Sequence, residues 1–358
     1  MVNAVERGVH TPKVVLVTGA NRYLSGQLVA RLAADPSIER VVAVDVTVPD
    51  KDRLRRMGRA EFVRVDIANP LISKVIRQFE VDTTVHAGVV QRPPKAGSRA
   101  AMRDVNVLGA MQLFAACQRA PSMRKVVLRS SSAVYGCSAK DPAKFTEQMS
   151  ARRNPRGAYA VDLIEIEGLV RGLARRRPDI AATTLRLAPT IGPRRSSSLH
   201  QILGTRVVPT VAGRDARLQL LHEDDALAAL SHATVAGRAG TFNVAGDGVL
   251  MLSQAIRRAG RVPAPMPFVL FRSIGRQLMS AGLRGFTDEQ LDFFHYGCGL
   301  DTTRMRTLLG FHPQLTTAEA FDHYLSGSPR RPVIDPDWID VARDRLLDLV
   351  GAETGAPR

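Results

Sequence analysis

The 358-residue chain is short of lysine: only seven of its 50 basic side chains are lysines, and none lies beyond Lys144. No site built from later residues can draw an ammonium group from its own segment. Cysteine is as scarce. Cys117, Cys137 and Cys298 are far apart and odd in number, which excludes a disulfide framework and any zinc-ligand spacing. They read as buried or half-buried thiols. No run reaches the ~18 uncharged apolar residues of a membrane span. The stretch before the first strand, MVNAVERGVHTPK, has no apolar core of signal-peptide length. These absences lead to the expectation of a cytoplasmic globular protein, long enough for one large or two medium domains.

What is abundant is arginine, and the formal net charge is +16. Such a balance suggests nucleic acid, an anionic membrane surface or a phosphorylated ligand. The arginines fall in short clusters at 55–59, 171–177, 192–195 and 328–331. No aromatic residues are interleaved with them, and no nucleic-acid motif is present. Nucleic acid is therefore disfavoured as a partner, and an anionic small molecule is favoured.

Along the first half, β-branched runs at 13–19, 40–46, 61–67, 82–88, 125–131 and 182–188 alternate with amphipathic helical stretches. That rhythm predicts βαβ units and a parallel sheet covered on both faces. The expected fold is α/β, a Rossmann-type doubly wound sheet over 11–187, joined by 218–247, with a smaller interwoven substrate domain over 188–330. Residues 331–358 form a tail with one helix near 336–350. In the second half, 217–222 and 240–246 read as strands. Residues 262–286 have a Pro-rich lead and an apolar stretch carrying three arginines. This stretch reads as a core or dimer-facing helix in preference to a membrane-surface helix.

VLVTGANRYLSGQLVARL reads as strand, glycine turn and helix, the arrangement that aims backbone N–H groups and a helix dipole at a pyrophosphate. Over about residues 13–325 the chain resembles the NAD-dependent epimerase/dehydratase family, the extended short-chain dehydrogenases/reductases, and within it UDP-glucose 4-epimerase-like proteins of actinobacteria. The family's TGxxGxxG falls on Thr18 to Ser25, placing Gly19, Asn21, Arg22, Tyr23 and Leu24 at the cofactor. Only the first glycine survives. Arg22 and Ser25 replace the other two, and overpacking typically costs ~1–3 kcal/mol. Gly26, one residue late, offers partial compensation, and Arg22 has two further readings, as a phosphate partner or as a solvent-facing side chain.

The resemblance implies further NAD-binding residues. Asp45 ends the second strand, where a carboxylate accepts ribose hydroxyls and disfavours a 2′-phosphate. Asp66 and Ile67 match the adenine-contacting pair, His86, Ala87 and Gly88 the loop over the diphosphate, and Asn106 the helical Asn that supports the catalytic site. Ser131 falls on the catalytic serine with Ser132 beside it, Tyr159 on the general acid/base, and Glu147 and Glu167 on flanking acids. The match at Glu167 fixes the register, so Leu163 stands in the place of the family's catalytic lysine.

A free tyrosine has a pKa near ~10, and the family's lysine favours its anion. Losing that lysine makes the base form scarcer by up to ~10³, or roughly 4 kcal/mol. Arg129 or a water held by Asp162 are the candidate helpers, although arginine cannot shuttle protons. Among substrate residues, Pro189 stands where sugar-nucleotide epimerases usually have Asn, and the diphosphate-clamping Arg becomes Leu218. Arg217, Arg194 and Arg195 are the candidate substitutes. Two readings stay open: an NAD-dependent oxidoreductase on a nucleotide-sugar or similar anionic substrate with impaired catalysis, or a non-catalytic nucleotide-binding sensor or assembly protein. The resemblance also implies a homodimer through the helix of Tyr159, on the face of Ile164 and Leu169.

Overall fold

The computed structural model describes residues 10–91, 98–151, 155, 157–194, 203, 205–273 and 288–327. The apolar runs of the first half become β1 (Val14–Thr18), β2 (Arg40–Asp45), β3 (Glu61–Arg64), β4 (Thr83–His86), β5 (Lys125–Ser131) and β6 (Ala181–Leu187). A seventh strand, Gly240–Val244, joins the sheet beside β6. The order is Gly240–Val244, β6, β5, β4, β1, β2, β3, with every pair parallel. This is the α/β doubly wound sheet expected from the sequence.

Helix α1 (Tyr23–Ala34) packs against the helix Glu223–Val235, while the helices Leu71–Gln78, Gly109–Arg119 and Ala158–Arg176 form a second packed group. Right-handed crossovers place two such groups on opposite faces. That double cover is why Val15, Leu16, Val17, Val126, Val127 and Leu128 can all be buried. The strand order reverses at β1, which has β2 on one side and β4 on the other. Chains leaving the ends of β1 and β4 turn to opposite faces there, opening a crevice at the carboxyl edge.

The second half departs from expectation in two places. The run 217–222 is broken into Arg217–Leu218 and Leu221–His222, which pair with different partners. The buried Gln219 side chain bonds the carbonyl of Gly246 and the amide of Leu300, and the Leu220 amide donates to Thr317 Oγ1. Side chains satisfy backbone groups that a continuous ladder would have paired. In the Pro-rich stretch, Val262–Met266 forms a strand parallel to Val207–Val211. Pro263 and Pro265 lie on its exposed positions, where a missing N–H costs no ladder bond in a two-stranded sheet. A helical turn starts at Phe268. Residues 274–287 and the tail helix near 336–350 lie outside the described residues.

Behind the crevice a buried polar network fixes the helix Ala158–Arg176 against the sheet. Glu167 accepts from Ser130 Oγ at 2.6 Å and from Arg186 at 3.0 and 2.7 Å. Arg186 also donates to the Tyr135 hydroxyl at 2.8 Å, which donates to Asn243 Oδ1 at 2.7 Å. The Asn243 amide reaches Glu147 Oε1. Removing one partner of a buried ion pair strands the other charge. Glu167→Ala is therefore expected to lower unfolding free energy by about 3–5 kcal/mol, read from urea denaturation. A loss below about 1 kcal/mol, the size typical of an exposed pair, would show that the network does not hold the helix.

Candidate functional site

The glycine turn is built on one close approach. Gly19 adopts φ +73°, and a Cβ added there would fall 2.4 Å from Gly88 Cα, so turn and β4 loop meet backbone to backbone. The amides of Gly19 and Ala20 both donate to Val44 O. Arg22 has φ −83° and ψ 150°, an extended conformation open to any residue. Arginine is accommodated because its side chain lies over the turn in ordinary van der Waals contact, with Cδ 3.4 Å from the position of a Gly19 Cβ. Ser25 fits as well: its buried hydroxyl donates to Ala87 O at 3.4 Å. Gly26 takes over the close approach, since a Cβ there would stand 2.9 Å from Ala20 O. The overpacking anticipated from the lost glycines is thus relieved by side-chain direction and by a one-residue shift.

The turn delivers a 12-residue helix α1 with no side-chain cap and no acidic residue in its first turn. Its first N–H groups have no intrahelical partner and its dipole is positive at that end. Beside it, the Asp45 carboxylate accepts from Asn21 N at 3.0 Å and Val46 N at 2.8 Å. Asn21 Nδ2 donates to Thr47 O, and Arg53 to Asn21 O. Asp45 is half-buried at the end of β2, its Oδ1 also accepts from Thr47 N at 3.4 Å, and Oδ2 retains a further lone pair. Asp66 is exposed and accepts from Ala68 N, while Ile67 packs on Gly109, where a Cβ would come within 2.9 Å of it. Tyr23 is half-buried and Leu24 buried.

Asn106 lies in a π-helical turn, Asp104–Leu108, between two α-helical segments. Its amide accepts from Val90 N at 2.7 Å and donates to Val90 O at 2.9 Å and to Asp162 Oδ2 at 2.8 Å. Asp162 is fully buried and also holds Arg99. Both its oxygens are committed, so it positions Asn106 and the β4 loop and is not a holder of catalytic water. Ser131 closes β5 half-buried and accepts from Ala133 N at 3.2 Å, leaving its hydroxyl proton free; Ser132 is buried. Tyr159 opens the helix Ala158–Arg176 and is 8% exposed, and its hydroxyl bonds to no other described residue. Leu163, one turn on, is 0% exposed, joined to the apolar core.

Positive charge enters this region from other elements. Arg22 is exposed at the glycine turn. Desolvation draws its guanidinium below the usual range, repulsion from Arg129 adds to that, and attraction from Asp45 and Tyr159 opposes it. Arg129, on β5, is buried; one N–H donates to Val89 O at 3.2 Å and its Nε has no partner. His86 bonds Thr18 Oγ1 through Nδ1 at 2.9 Å, and its Nε2 is unpaired. Desolvation first, then Arg129 and Arg22, lower His86 to about 3.

On the substrate side Pro189 is half-buried and Arg217 exposed on the face opposite the buried Leu218. Arg194 pairs with Asp224 at 3.1 Å, and its amide donates to Glu223 Oε1 at 3.0 Å. Arg195 lies outside the described residues. Glu223 was not singled out by the sequence. It is buried with Oε2 unpaired, lies beside Tyr23, and fits only because residue 192 is glycine. Among the described residues no His, Cys, Asp or Glu group is placed to hold a metal.

A family model described as NAD dependent epimerase/dehydratase family matches residues 15–245. The chain belongs to the NAD-dependent epimerase/dehydratase family. It is 57% identical over 338 residues to an uncharacterised protein of Mycobacterium tuberculosis, covering 94% of this chain and 90% of that one. It is 27% identical over 334 residues to the UDP-glucose 4-epimerase of Mycolicibacterium smegmatis, covering 85% and 95%. Among solved structures it resembles the UDP-glucose 4-epimerase of Thermotoga maritima with UDP-glucose (TM-score 0.66, 17% identity, 88% and 98% covered). It also resembles the Bordetella bronchiseptica enzyme WbmG with NAD (TM-score 0.68, 17% identity, 93% and 98% covered). Those likenesses show the epimerase/dehydratase fold.

The neutral, buried His86 gives a pH signature. Its folded value lies below the unfolded one, so it contributes no penalty above about pH 6.5, and stability is lost as pH falls from there toward about 3. The slope from one such group is at most about 1.4 kcal/mol per pH unit. His295, lowered to about 4 by burial and then Arg214, acts in the same direction. His86→Asn is expected to flatten the stability-versus-pH curve relative to wild type between pH 6.5 and 4, in denaturant titrations. An unchanged slope would mean that His86 protonates freely in the fold.

Proposed function

We propose that this epimerase/dehydratase family member binds NAD in the crevice between β1 and β4 and acts, slowly, on a nucleotide-sugar or similar anionic substrate. The observation that carries the reading is the uncapped first turn of α1, brought to the crevice by the backbone contact of Gly19 with Gly88. A Gly19–Gly88 joint free of Cβ atoms and an unpaired buried Arg129 Nε suit a diphosphate. Asp45 stands at the end of β2, where it receives ribose hydroxyls and disfavours a 2′-phosphate. When bound, NAD supplies the hydride acceptor.

The chain's own groups would supply proton handling and orientation. Ser131 holds the reacting oxygen with its free hydroxyl proton, and Tyr159 takes the proton of the substrate alcohol. Leu163 leaves Tyr159 without a cationic helper on its own helix, so proton transfer and turnover are slow. Asn106, held by Asp162, fixes the β4 loop at Val90. The neighbours named UDP-glucose 4-epimerase support a nucleotide-sugar as substrate class. The buried apolar residue in the lysine's place supports the alternative, a nucleotide-binding protein without turnover.

The two readings separate cleanly. NAD is expected to raise the melting temperature of the purified protein, because a ligand of the folded state alone stabilises it. Tyr159→Phe should keep that shift and lose turnover of UDP-sugars. Absence of any shift with NAD would overturn the cofactor assignment, and a Tyr159→Phe variant with intact turnover would overturn the chemistry.

A homodimer belongs to the same reading. Val105, Leu108 and Met111 on the segment 104–119 and Ile164 on the helix Ala158–Arg176 expose apolar side chains on two packed helices. Ile164→Arg should convert a dimer into monomer in sedimentation equilibrium, leaving the melting curve cooperative; wild type sedimenting as monomer would refute the dimer.

A further inference from the structure

We propose that Arg22 and Arg129 form a paired-guanidinium seat for a diphosphate ester, in which Arg22 is a ligand and not an obstruction. The inference rests on the crevice being a dinucleotide site, and it assigns the charge recognition there to two residues of this chain. Four observations lead to it.

The first is geometric. Arg22 folds back over Gly19, with Cδ 3.4 Å from the position of a Gly19 Cβ, and Gly19 touches Gly88, so the Arg22 stem runs over the glycine turn where it meets the β4 loop. Arg129 reaches the same loop from β5 through its bond to Val89 O. The two cations approach closely enough to repel one another, and both act on His86.

The second is the unmet hydrogen-bonding capacity. Arg129 is 8% exposed and its buried Nε has no partner, while the Arg22 guanidinium makes no hydrogen bond or ion pair with another described residue. A buried unsatisfied N–H is costly, and the repulsion between Arg22 and Arg129 adds to that cost. An anion between them relieves both. The third is the first turn of α1, which begins at Tyr23 and directs uncapped N–H groups and the positive dipole end to the same place.

The fourth concerns size and charge. Asp45 and Tyr159 are the groups of opposite polarity felt by Arg22, but Asp45 is engaged by backbone amides. Two guanidinium forks and a helix end supply more donors than a carboxylate accepts. They match two linked phosphates, each able to take a bidentate pair. A diphosphate ester could come from a dinucleotide or from a nucleotide-sugar.

The substitution Arg22→Gly restores the glycine of the family pattern, and it decides the matter by the sign of its effect. If Arg22 is an obstruction, the variant binds NAD more tightly. If it is a ligand, the variant binds more weakly, by roughly 10- to 100-fold for a lost charge-assisted interaction. Dissociation constants would be measured by calorimetry for wild type, Arg22→Gly, Arg22→Lys and Arg129→Lys with NAD, UDP-glucose, inorganic pyrophosphate and adenosine. Arg22 is accessible, so its variants should fold, and unliganded melting curves check this. The seat predicts weaker binding of diphosphate ligands in all three variants, with Arg22→Lys less affected than Arg22→Gly. It also predicts unchanged binding of adenosine and a wild-type affinity for diphosphates that falls with salt.

NAD binding equal or tighter in Arg22→Gly would overturn the seat and leave the NAD reading standing. UDP-glucose and pyrophosphate binding that depends on both arginines, with no NAD binding, would keep the seat and overturn the NAD reading. No diphosphate bound by wild type would overturn both.

Discussion

The crevice depends on two backbones meeting where no side chain fits. Gly19, at φ +73°, rests against Gly88, and this contact sets the distance between the turn after β1 and the loop after β4. From it follow the direction of α1, whose uncapped first turn faces the switch point of the sheet, and the path of Arg22 over the joint. Asp45 braces the turn from β2, and Asn106 braces the loop through both backbone groups of Val90. A site held from both sides in this way is rigid before any ligand arrives, which lowers the entropic cost of binding.

Charge in this family member has been moved. The helix that carries Tyr159 offers Leu163, closed into the core, and the nearby cations come from the glycine turn and from β5. A guanidinium holds its proton at all relevant pH values, so it can bind an anion or bias a neighbouring phenol but cannot relay a proton. The arrangement therefore favours recognition over rapid proton transfer. Under the function proposed above, that means slow turnover.

Much of this was legible in the sequence because it is local. Strand runs, the glycine turn and the helix that carries Tyr159, Leu163 and Glu167 are fixed by short-range pattern. What escaped was decided by residues distant in the chain. Ser25 looked like excess volume, yet its hydroxyl reaches Ala87 O across 62 residues, alongside the close approach of Gly26 that the sequence already offered. Asp162 looked free for a water, yet Arg99, 63 residues earlier, meets it in the fold. Glu223 read only as part of a matching segment, and its burial beside Gly192 has no signal along the chain. The break within 217–222 arises from Gln219 and Thr317, whose side chains replace ladder bonds. Pattern cannot foresee such substitutions, since they use side chains where a strand would use backbone.

The central claim is that the open end of α1 and its two neighbouring arginines form a working diphosphate cradle. A crystal grown with excess NAD tests it most directly. The account predicts density for the diphosphate at the first turn of α1, with the Arg22 and Arg129 guanidiniums on its oxygens and the nicotinamide near Tyr159. A crystal in which Arg22 itself fills that space, with no dinucleotide in the crevice, would contradict it.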